Sequence, residues 1–166
     1  MSLRSPEPAS AERRLAERRL AELGIVLPPP PMPLGAYVET VQTGNLLFLS
    51  GILPVAGGQP RFVGRLGREF NTEEGREAAR LATTNVLSAA KHHLGSLDRV
   101  TRVVKLTVYL ATEESFVAHA KVADGASELL RDVFGEDKLP VRMVLGAATL
   151  PVGVPVVVEV LFEVED

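Results

Sequence analysis

The sequence predicts an α+β fold, in which one mixed β-sheet carries two helices on one of its faces. Two long stretches with apolar residues at helical spacing alternate with shorter stretches that are rich in valine and other β-branched residues. Glycine-containing pairs of the kind found in tight turns lie in the first half of the chain. The predicted order is two strands, a short third strand, a helix, a strand, a second helix and two closing strands, which places both helices in one layer.

An N-terminal helix and a proline-rich linker are predicted over residues 1–33, ahead of a main domain over residues 34–166. Apolar residues recur at helical spacing over residues 11–23, and Gly24 readily adopts the left-handed conformation that ends a helix. Residues 28–33 are almost all proline, which predicts an extended spacer. The helix is therefore expected to dock as an accessory to the main domain.

The main domain is predicted to open with a β-hairpin. Residues 36–43 and 46–50 have strand-like composition, and Gly44 and Asn45 between them suit the positive φ angles of a two-residue turn. A further strand-like segment follows, with a glycine pair at its turn. This hairpin would supply one edge of the sheet.

A long helix is predicted over residues 72–94, where alanines recur in helical register. Asn71 is a favourable N-cap, and Glu74 stands at the position that completes a capping box. Gly95 is expected to end the helix. An alanine-rich face of this kind can pack closely on a sheet.

The second half repeats the plan, with a strand over residues 101–110, a helix over 122–133 and closing strands over 142–148 and 154–164. If the two helices cover one face of the sheet, the valine-rich strands leave the other face apolar. An apolar sheet face on a small domain needs a cover, so the sequence predicts an oligomer.

Composition limits the function classes. Hydrophobic residues make up 46% of the 166 residues and charged residues 23%, as in an ordinary soluble domain. The formal net charge is -3, and no cluster of basic residues lies beside aromatic residues, which argues against nucleic-acid binding. There is no cysteine, which excludes disulfides and thiol catalysis. No apolar run approaches the length of a membrane span, and the N-terminus carries charges where a signal peptide would need an apolar core. We therefore expect a cytoplasmic protein that does not bind membranes.

Arg142 is the most informative single residue. It lies between two apolar runs that are predicted to enter the sheet. An arginine in apolar surroundings needs an anionic partner, because an unpaired buried guanidinium costs several kcal/mol. The partner would be either an acid of the protein or the carboxylate or phosphate of a ligand.

The three histidines do not predict a metal site. His92 and His93 are adjacent in the long predicted helix, where neighbouring side chains point about 100° apart, and His119 lies in a separate segment. No phosphate-binding loop or nucleotide motif is present. We therefore expect neither a metal nor an organic cofactor.

Five motifs, taken together and in order, carry a resemblance to a known family. They are Gly35-Ala36-Tyr37-Val38; Leu49-Ser50-Gly51 with Pro54; Gly95-Ser96-Leu97-Asp98-Arg99-Val100 with the strand that follows it; Pro140-Val141-Arg142; and Leu150-Pro151 with the last valine-rich strand. Over about residues 35–164 the sequence resembles the YjgF/Rid-type family, also called the L-PSP endoribonuclease family. The N-terminal extension is similar to that of a YjgF-like branch with a longer N-terminus.

The resemblance implies a chorismate-mutase-like fold and a homotrimer with three clefts between subunits. In the deaminases of this family, the arginine at the position of Arg142 binds the carboxylate of a small 2-imino or 2-amino-acrylate acid. A planar guanidinium suits a carboxylate better than an ammonium does. The resemblance also places Tyr37, Ser50 and Gly51 in the substrate-binding part of the cleft.

The chain departs from the family pattern at the catalytic acid. The family's water-positioning glutamate lies seven residues after the leucine of the Leu-Pro motif, and here that residue is Val157. Glu159 lies two residues further, on the same face of the predicted strand, and is our candidate catalytic residue.

Three function classes follow from the resemblance. The first is a Rid-like hydrolase that deaminates small reactive enamine or imine carboxylates. The second is a small-carboxylate-binding module of the same fold, in which Arg142 is kept and catalysis is lost. The endoribonuclease activity in the family's name is the weakest, because the chain lacks a basic channel and suitably placed histidines.

Overall fold

A five-stranded mixed β-sheet forms the framework of the protein. The computed structural model describes residues 15–166. The strand order is β1-β2-β7-β5-β6, every neighbouring pair is antiparallel except β5 and β6, and β3 pairs with β4 in a small separate hairpin. The strands are β1 (Thr40–Thr43), β2 (Leu46–Leu49), β3 (Val55–Ala56), β4 (Gln59–Pro60), β5 (Val100–Ala111), β6 (Val141–Ala147) and β7 (Val156–Val164).

The helices α2 (Thr72–Leu94) and α3 (His119–Phe134) pack on one face of this sheet. The predicted capping box of α2 is confirmed: the Glu74 amide donates to Asn71 Oδ1 at 2.9 Å, and the Asn71 amide donates to Glu74 Oε2 at 2.8 Å. Gly95 ends α2 in the left-handed region with φ of 80°. The α+β class and the two-helix layer are as predicted.

A third helix, α1 (Leu15–Glu22), packs against α3 and the turn after α2. The start of the predicted 11–23 helix lies outside the described residues. Ala16 and Leu20 are buried and belong to the same apolar cluster as the sheet and the long helices. The helix therefore adds to the main core, whereas the predicted division after residue 33 stays a prediction.

Glu17 fixes α1 in place. Lys91 Nζ lies 2.7 Å from Glu17 Oε2, and the Leu97 amide donates to Glu17 Oε1 at 2.9 Å. Burial raises the pKa of Glu17, but the hydrogen bonds from Lys91 and Leu97 and the charge of Lys91 together outweigh burial and hold it below its ordinary value of 4.5. The contacts of Glu17 with Lys91 and Leu97 therefore favour its ionised carboxylate.

Alternation along the strands separates a covered from an uncovered face. In β7 the even-numbered residues from Val156 to Val164 are buried under the helices, whereas Glu159 lies on the other face and is exposed. The uncovered face also presents Val141, 70% exposed, and Met143, 55% exposed, from the edge strand β6. A single chain thus exposes an apolar sheet face, as the sequence predicted.

The structure corrects several predicted bounds. β1 begins at Thr40 rather than at residue 36, so Tyr37 lies in the segment before the sheet. α3 begins three residues earlier than predicted, at His119. β7 begins two residues late, because a short 3₁₀ turn, Pro151–Gly153, and Pro155 delay the pairing.

Candidate functional site

Arg142 lies on β6, at the edge of the sheet, and its side chain reaches α3. Its register partner on β5 is the buried Leu106, so the side chain leaves the strand on the helix-covered side. Nη1 donates to Asp124 Oδ1 at 2.7 Å and to Ser127 Oγ at 3.0 Å. Asp124, an acid of the same chain, is therefore one anionic partner of the kind that the sequence led us to expect for Arg142.

The contacts of Arg142 use only one nitrogen of its guanidinium. Within residues 15–166, neither Nε nor Nη2 makes a hydrogen bond, and 27% of the side chain is exposed. Nε and Nη2 form the edge of the fork that accepts a carboxylate in a bidentate geometry. Asp124 and Ser127 hold the guanidinium through Nη1 and leave the hydrogen-bonding capacity of this edge unused within the described residues.

Ser50 is held by a glutamate in the segment before β1. The Ser50 hydroxyl donates to Glu39 Oε2 at 2.5 Å, and the Ser50 amide donates to the Glu39 carbonyl at 2.9 Å. Gly51, the next residue, lies against Val157 of β7, so that a Cβ added to Gly51 would lie 2.9 Å from Val157 Cγ1. The predicted site residues Ser50 and Gly51 are therefore fixed by Glu39 and Val157.

Tyr37 lies beside a pocket of about 450 Å³ that the proline-rich linker closes on one side. The Leu34 amide donates to the Tyr37 hydroxyl oxygen at 3.0 Å, which ties the tyrosine to the end of the linker. Gly51, Glu39 and Asn85 line the same pocket. The structure thus brings Tyr37 and Gly51 together, with Ser50 joined to them through Glu39.

Glu159 and Val157 lie on the uncovered face of β7. Glu159 is the register partner of Thr107, and Thr107 also pairs with Met143, so Glu159 shares a face with Met143. Arg142 adjoins Met143 and therefore points to the opposite face. Within one chain, the candidate acid and the candidate carboxylate-binding arginine do not face each other.

In one chain, Arg142 lies apart from the group formed by Tyr37, Ser50 and Gly51. Arg142 lies on β6, whereas Tyr37 precedes β1, four strands away in the sheet order. Gly51 contacts Val157 of the central strand β7, and β5 lies between β7 and β6. Arg142 is not among the residues that line the pocket beside Tyr37.

Asp124, Ser127 and Glu39 are site residues that no motif of the sequence marks. Asp124 and Ser127 are three residues apart in the second predicted helix and so share a helix face, which is the signal that was present. Nothing local connects that face with Arg142, because their proximity depends on how β6 pairs beside β5. The sequence pattern places Glu39 inside a predicted strand, whereas the structure places it just before β1.

Within residues 15–166, no group of three or more histidine, aspartate or glutamate side chains lies close enough to hold a metal ion. None of the helices in that part of the chain combines the length and the apolar character needed to cross a membrane.

Comparison with known proteins places this geometry in a family. Residues 17–164 match the family described as "YjgF/chorismate mutase-like, putative endoribonuclease". Protein TCP17 of Trypanosoma cruzi is 41% identical over 145 residues, which cover 87% of this chain and 91% of that protein. The crystal structure of Atu1372 from Agrobacterium tumefaciens, a protein of unknown function, has a TM-score of 0.84 at 34% identity and covers 92% of this chain and 94% of its own.

A more distant relative is named for an activity. The 2-iminobutanoate/2-iminopropanoate deaminase of Dermatophagoides farinae is 25% identical over 146 residues, which cover 85% of this chain and 95% of that protein. The family match extends over most of α1, the linker, the whole sheet and both long helices. The chain therefore belongs to the YjgF/chorismate mutase-like family.

Proposed function

We propose that this protein is a Rid-type hydrolase that binds a small 2-imino or 2-amino-acrylate acid in a cleft between subunits and releases ammonia from it. The observation that carries the proposal is the orientation of Arg142, whose Nη1 is held by Asp124 and Ser127 while Nε and Nη2 make no hydrogen bond within residues 15–166. The similarity to a named deaminase supports the same reaction class.

Arg142 supplies the binding contact for the carboxylate. A bidentate pair between Nε, Nη2 and two carboxylate oxygens is stronger and more directional than a contact to a lysine ammonium. Asp124 cancels part of the positive charge, so binding relies on the geometry of the fork as well as on net charge. Ser127 adds a second, neutral acceptor that keeps Nη1 oriented.

Assembly joins Arg142 to the group formed by Tyr37, Ser50 and Gly51. The apolar uncovered face, with Val141 and Met143 exposed on β6, is a surface that a homotrimer would bury. In such a trimer, Arg142 of one copy approaches Tyr37, Ser50 and Gly51 of the next. This arrangement would bring together candidate site residues that lie apart in one chain.

The reaction adds water to the imine carbon, after which the C–N bond breaks and gives a 2-oxo acid and ammonia. A base must take a proton from the attacking water and return it to the nitrogen. Glu159 is assigned this role because it is the nearest acid on β7 to the position of the family's glutamate and is exposed on the uncovered face. The reaction needs no metal or organic cofactor.

A second candidate is favoured by Val157, which occupies the family's acid position. Val157 is only 7% exposed and packs against Gly51, so nothing at this position can hold a water. If Glu159 does not reach the ligand, the protein would bind carboxylates in the same cleft without turning them over.

The test is ammonia release from 2-iminopropanoate generated in situ. We expect the wild type to accelerate the release, and Arg142→Ala to lower kcat/KM by about 100-fold or more, because charged hydrogen bonds to the ligand are lost. Arg142→Lys should recover only a small part of this loss. Arg131→Ala is the control, since Arg131 is an exposed α3 residue paired with Asp132.

Two results would contradict the hydrolase. A wild type that binds pyruvate but releases no ammonia would support the binding module instead. If Arg142→Ala matched the Arg131→Ala control in both pyruvate binding and ammonia release, neither proposal would stand. Sedimentation of the Arg142→Ala protein must give the wild-type oligomer, so that any loss reflects the site and not assembly.

A further inference from the structure

The linker builds one wall of the pocket beside Tyr37, and this wall is firmly attached. The Ser88 hydroxyl donates to the Pro28 carbonyl at 2.5 Å at one end, and the Leu34 amide donates to the Tyr37 hydroxyl oxygen at 3.0 Å at the other. Proline has no backbone N–H, so a wall of prolines offers carbonyl acceptors and apolar rings but almost no donors. The wall therefore suits a ligand that has apolar groups to pack on the proline rings and hydrogen-bond donors for the carbonyls.

Glu39 gives the pocket an uncompensated negative charge. Its Oε2 accepts a hydrogen bond from Ser50, but within residues 15–166 its Oε1 makes none. No lysine, arginine or histidine is among the residues that line the pocket. A partly buried carboxylate without a cation nearby is stabilised by a ligand that carries one.

Asn85 adds a second acceptor. Asn85 is only 2% exposed. Its Nδ2 donates one hydrogen bond to the Leu53 carbonyl at 3.0 Å and one to the Val55 carbonyl at 2.9 Å. The amide is therefore fixed in one orientation. Its Oδ1 makes no hydrogen bond to any described residue, and the side chain lines the pocket. Asn85 Oδ1 can therefore accept a hydrogen bond from a ligand in the pocket.

We propose that this pocket binds the side chain of the imino-acid ligand and favours an aliphatic chain that ends in a cation. A volume of about 450 Å³ exceeds what a two- or three-carbon acid fills, and the proline rings, Ile52 and Leu53 would bury the methylene groups. Glu39 and Asn85 would receive the ammonium. The identity of the ligand rests on the proposed function, whereas the selectivity for a cation rests on the pocket.

The experiment compares three amino acids as stable probes by isothermal titration: alanine, norleucine and lysine. All share the carboxylate and the α-ammonium group, and norleucine and lysine have chains of similar length. We expect norleucine to bind more tightly than alanine, and lysine about tenfold more tightly than norleucine, as for one added charged hydrogen bond. The proteins are the wild type, Glu39→Gln, Glu39→Asp and Arg142→Ala, with Glu114→Gln as the control at an exposed acid away from the pocket.

The variants separate the two proposals. Glu39→Gln can still accept from Ser50 and should lose the preference for lysine alone, Glu39→Asp should keep much of it, and Glu114→Gln should behave as the wild type. Arg142→Ala should weaken all three probes by similar factors. Should lysine and norleucine bind equally to the wild type, or should Glu39→Gln leave their ratio unchanged, the inference is overturned. Binding of all three probes that does not depend on Arg142 would instead overturn the proposed function.

Discussion

Gly51 and Val157 are in contact at a point where only glycine fits: a Cβ on Gly51 would lie 2.9 Å from Val157 Cγ1. Both residues belong to the candidate site, Gly51 by its motif and Val157 by its position on β7. Val157 stands where relatives of the deaminase type are expected to carry an acid. Its side chain fits at this position because Gly51, opposite, has no side chain.

We expect Gly51→Ala to lower the free energy of unfolding by about 1–3 kcal/mol, the usual range for overpacking. Urea denaturation measures the change. Gly35→Ala is the matched control, because its nearest neighbour, Tyr37 Cε1, would be 3.7 Å away at ordinary contact distance. The double variant Gly51→Ala/Val157→Ala removes the clashing methyl group and should recover stability relative to Gly51→Ala; the absence of any recovery would argue against this contact.

The exposed β6 face should drive assembly. We expect Val141→Asp to shift the protein from trimer to monomer in sedimentation at micromolar concentration, because a charge there would be buried against another copy. Val117→Asp, at a residue that is 87% exposed in the loop before α3, should leave the trimer intact. A wild type that sediments as a stable monomer would contradict the prediction.

Asp124 should lower the affinity of Arg142 for anionic ligands. In Asp124→Asn the amide oxygen can still accept from Nη1, but the charge that partly cancels the guanidinium is gone. We expect pyruvate to bind roughly threefold to tenfold more tightly, as for a partly exposed charge pair. Asp132→Asn on the same helix is the control. Weaker pyruvate binding by Asp124→Asn would mean that the ionised carboxylate is needed to orient Arg142.

Glu159 should carry the proton transfer. We expect Glu159→Gln to slow ammonia release from 2-iminopropanoate by about 10²–10⁴-fold, the typical loss for one positioned acid–base group. Glu163→Gln, four residues along on the same face of β7, is the matched control. If Glu159→Gln is as active as the wild type, the role given to Glu159 is wrong. If an inactive wild type gains activity as Val157→Glu, the binding module is the better description.

Glu17 should make the docking of α1 dependent on pH. Burial opposes its ionisation, but Lys91 and the Leu97 amide prevail, and the pKa of Glu17 lies below its ordinary value of 4.5. The folded state therefore gains stability from ionised Glu17 above about pH 4.5, and this gain is lost as the pH falls further. We expect Glu17→Gln to be less stable than the wild type at pH 7, by about 0.5–1 kcal/mol, and nearly equal to it at pH 3.

Thermal or urea unfolding at the two pH values checks this expectation, with Glu22→Gln as the control. Glu22 is in the same helix but pairs only with Arg18, and both side chains are mostly exposed. A difference between Glu17→Gln and the wild type that is as large at pH 3 as at pH 7 would contradict the role of the ionised carboxylate.

The bounds of α2 were predictable because they depend on near neighbours in the chain. Asn71 and Glu74 satisfy the first amides of the helix across three residues, and Gly95 adopts a left-handed conformation that costs other residues energy. The apolar alternation of β7 likewise follows from its own residues, with the exception of its start. The exposed apolar face could be predicted for the same reason.

The partner of Arg142 could not be predicted in this way. Asp124 and Ser127 reach it because β6 pairs parallel to β5 and α3 crosses back over that pair, which brings together residues 15 to 18 positions apart. The separation of Arg142 from Tyr37, and the placement of Glu159 on the opposite face, depend on the same strand order. The sequence by itself determined which elements form and which residues carry chemistry, since these follow from local hydrogen bonding and periodicity. Only the tertiary structure decided which of those residues meet, because strand pairing is set by contacts between distant parts of the chain.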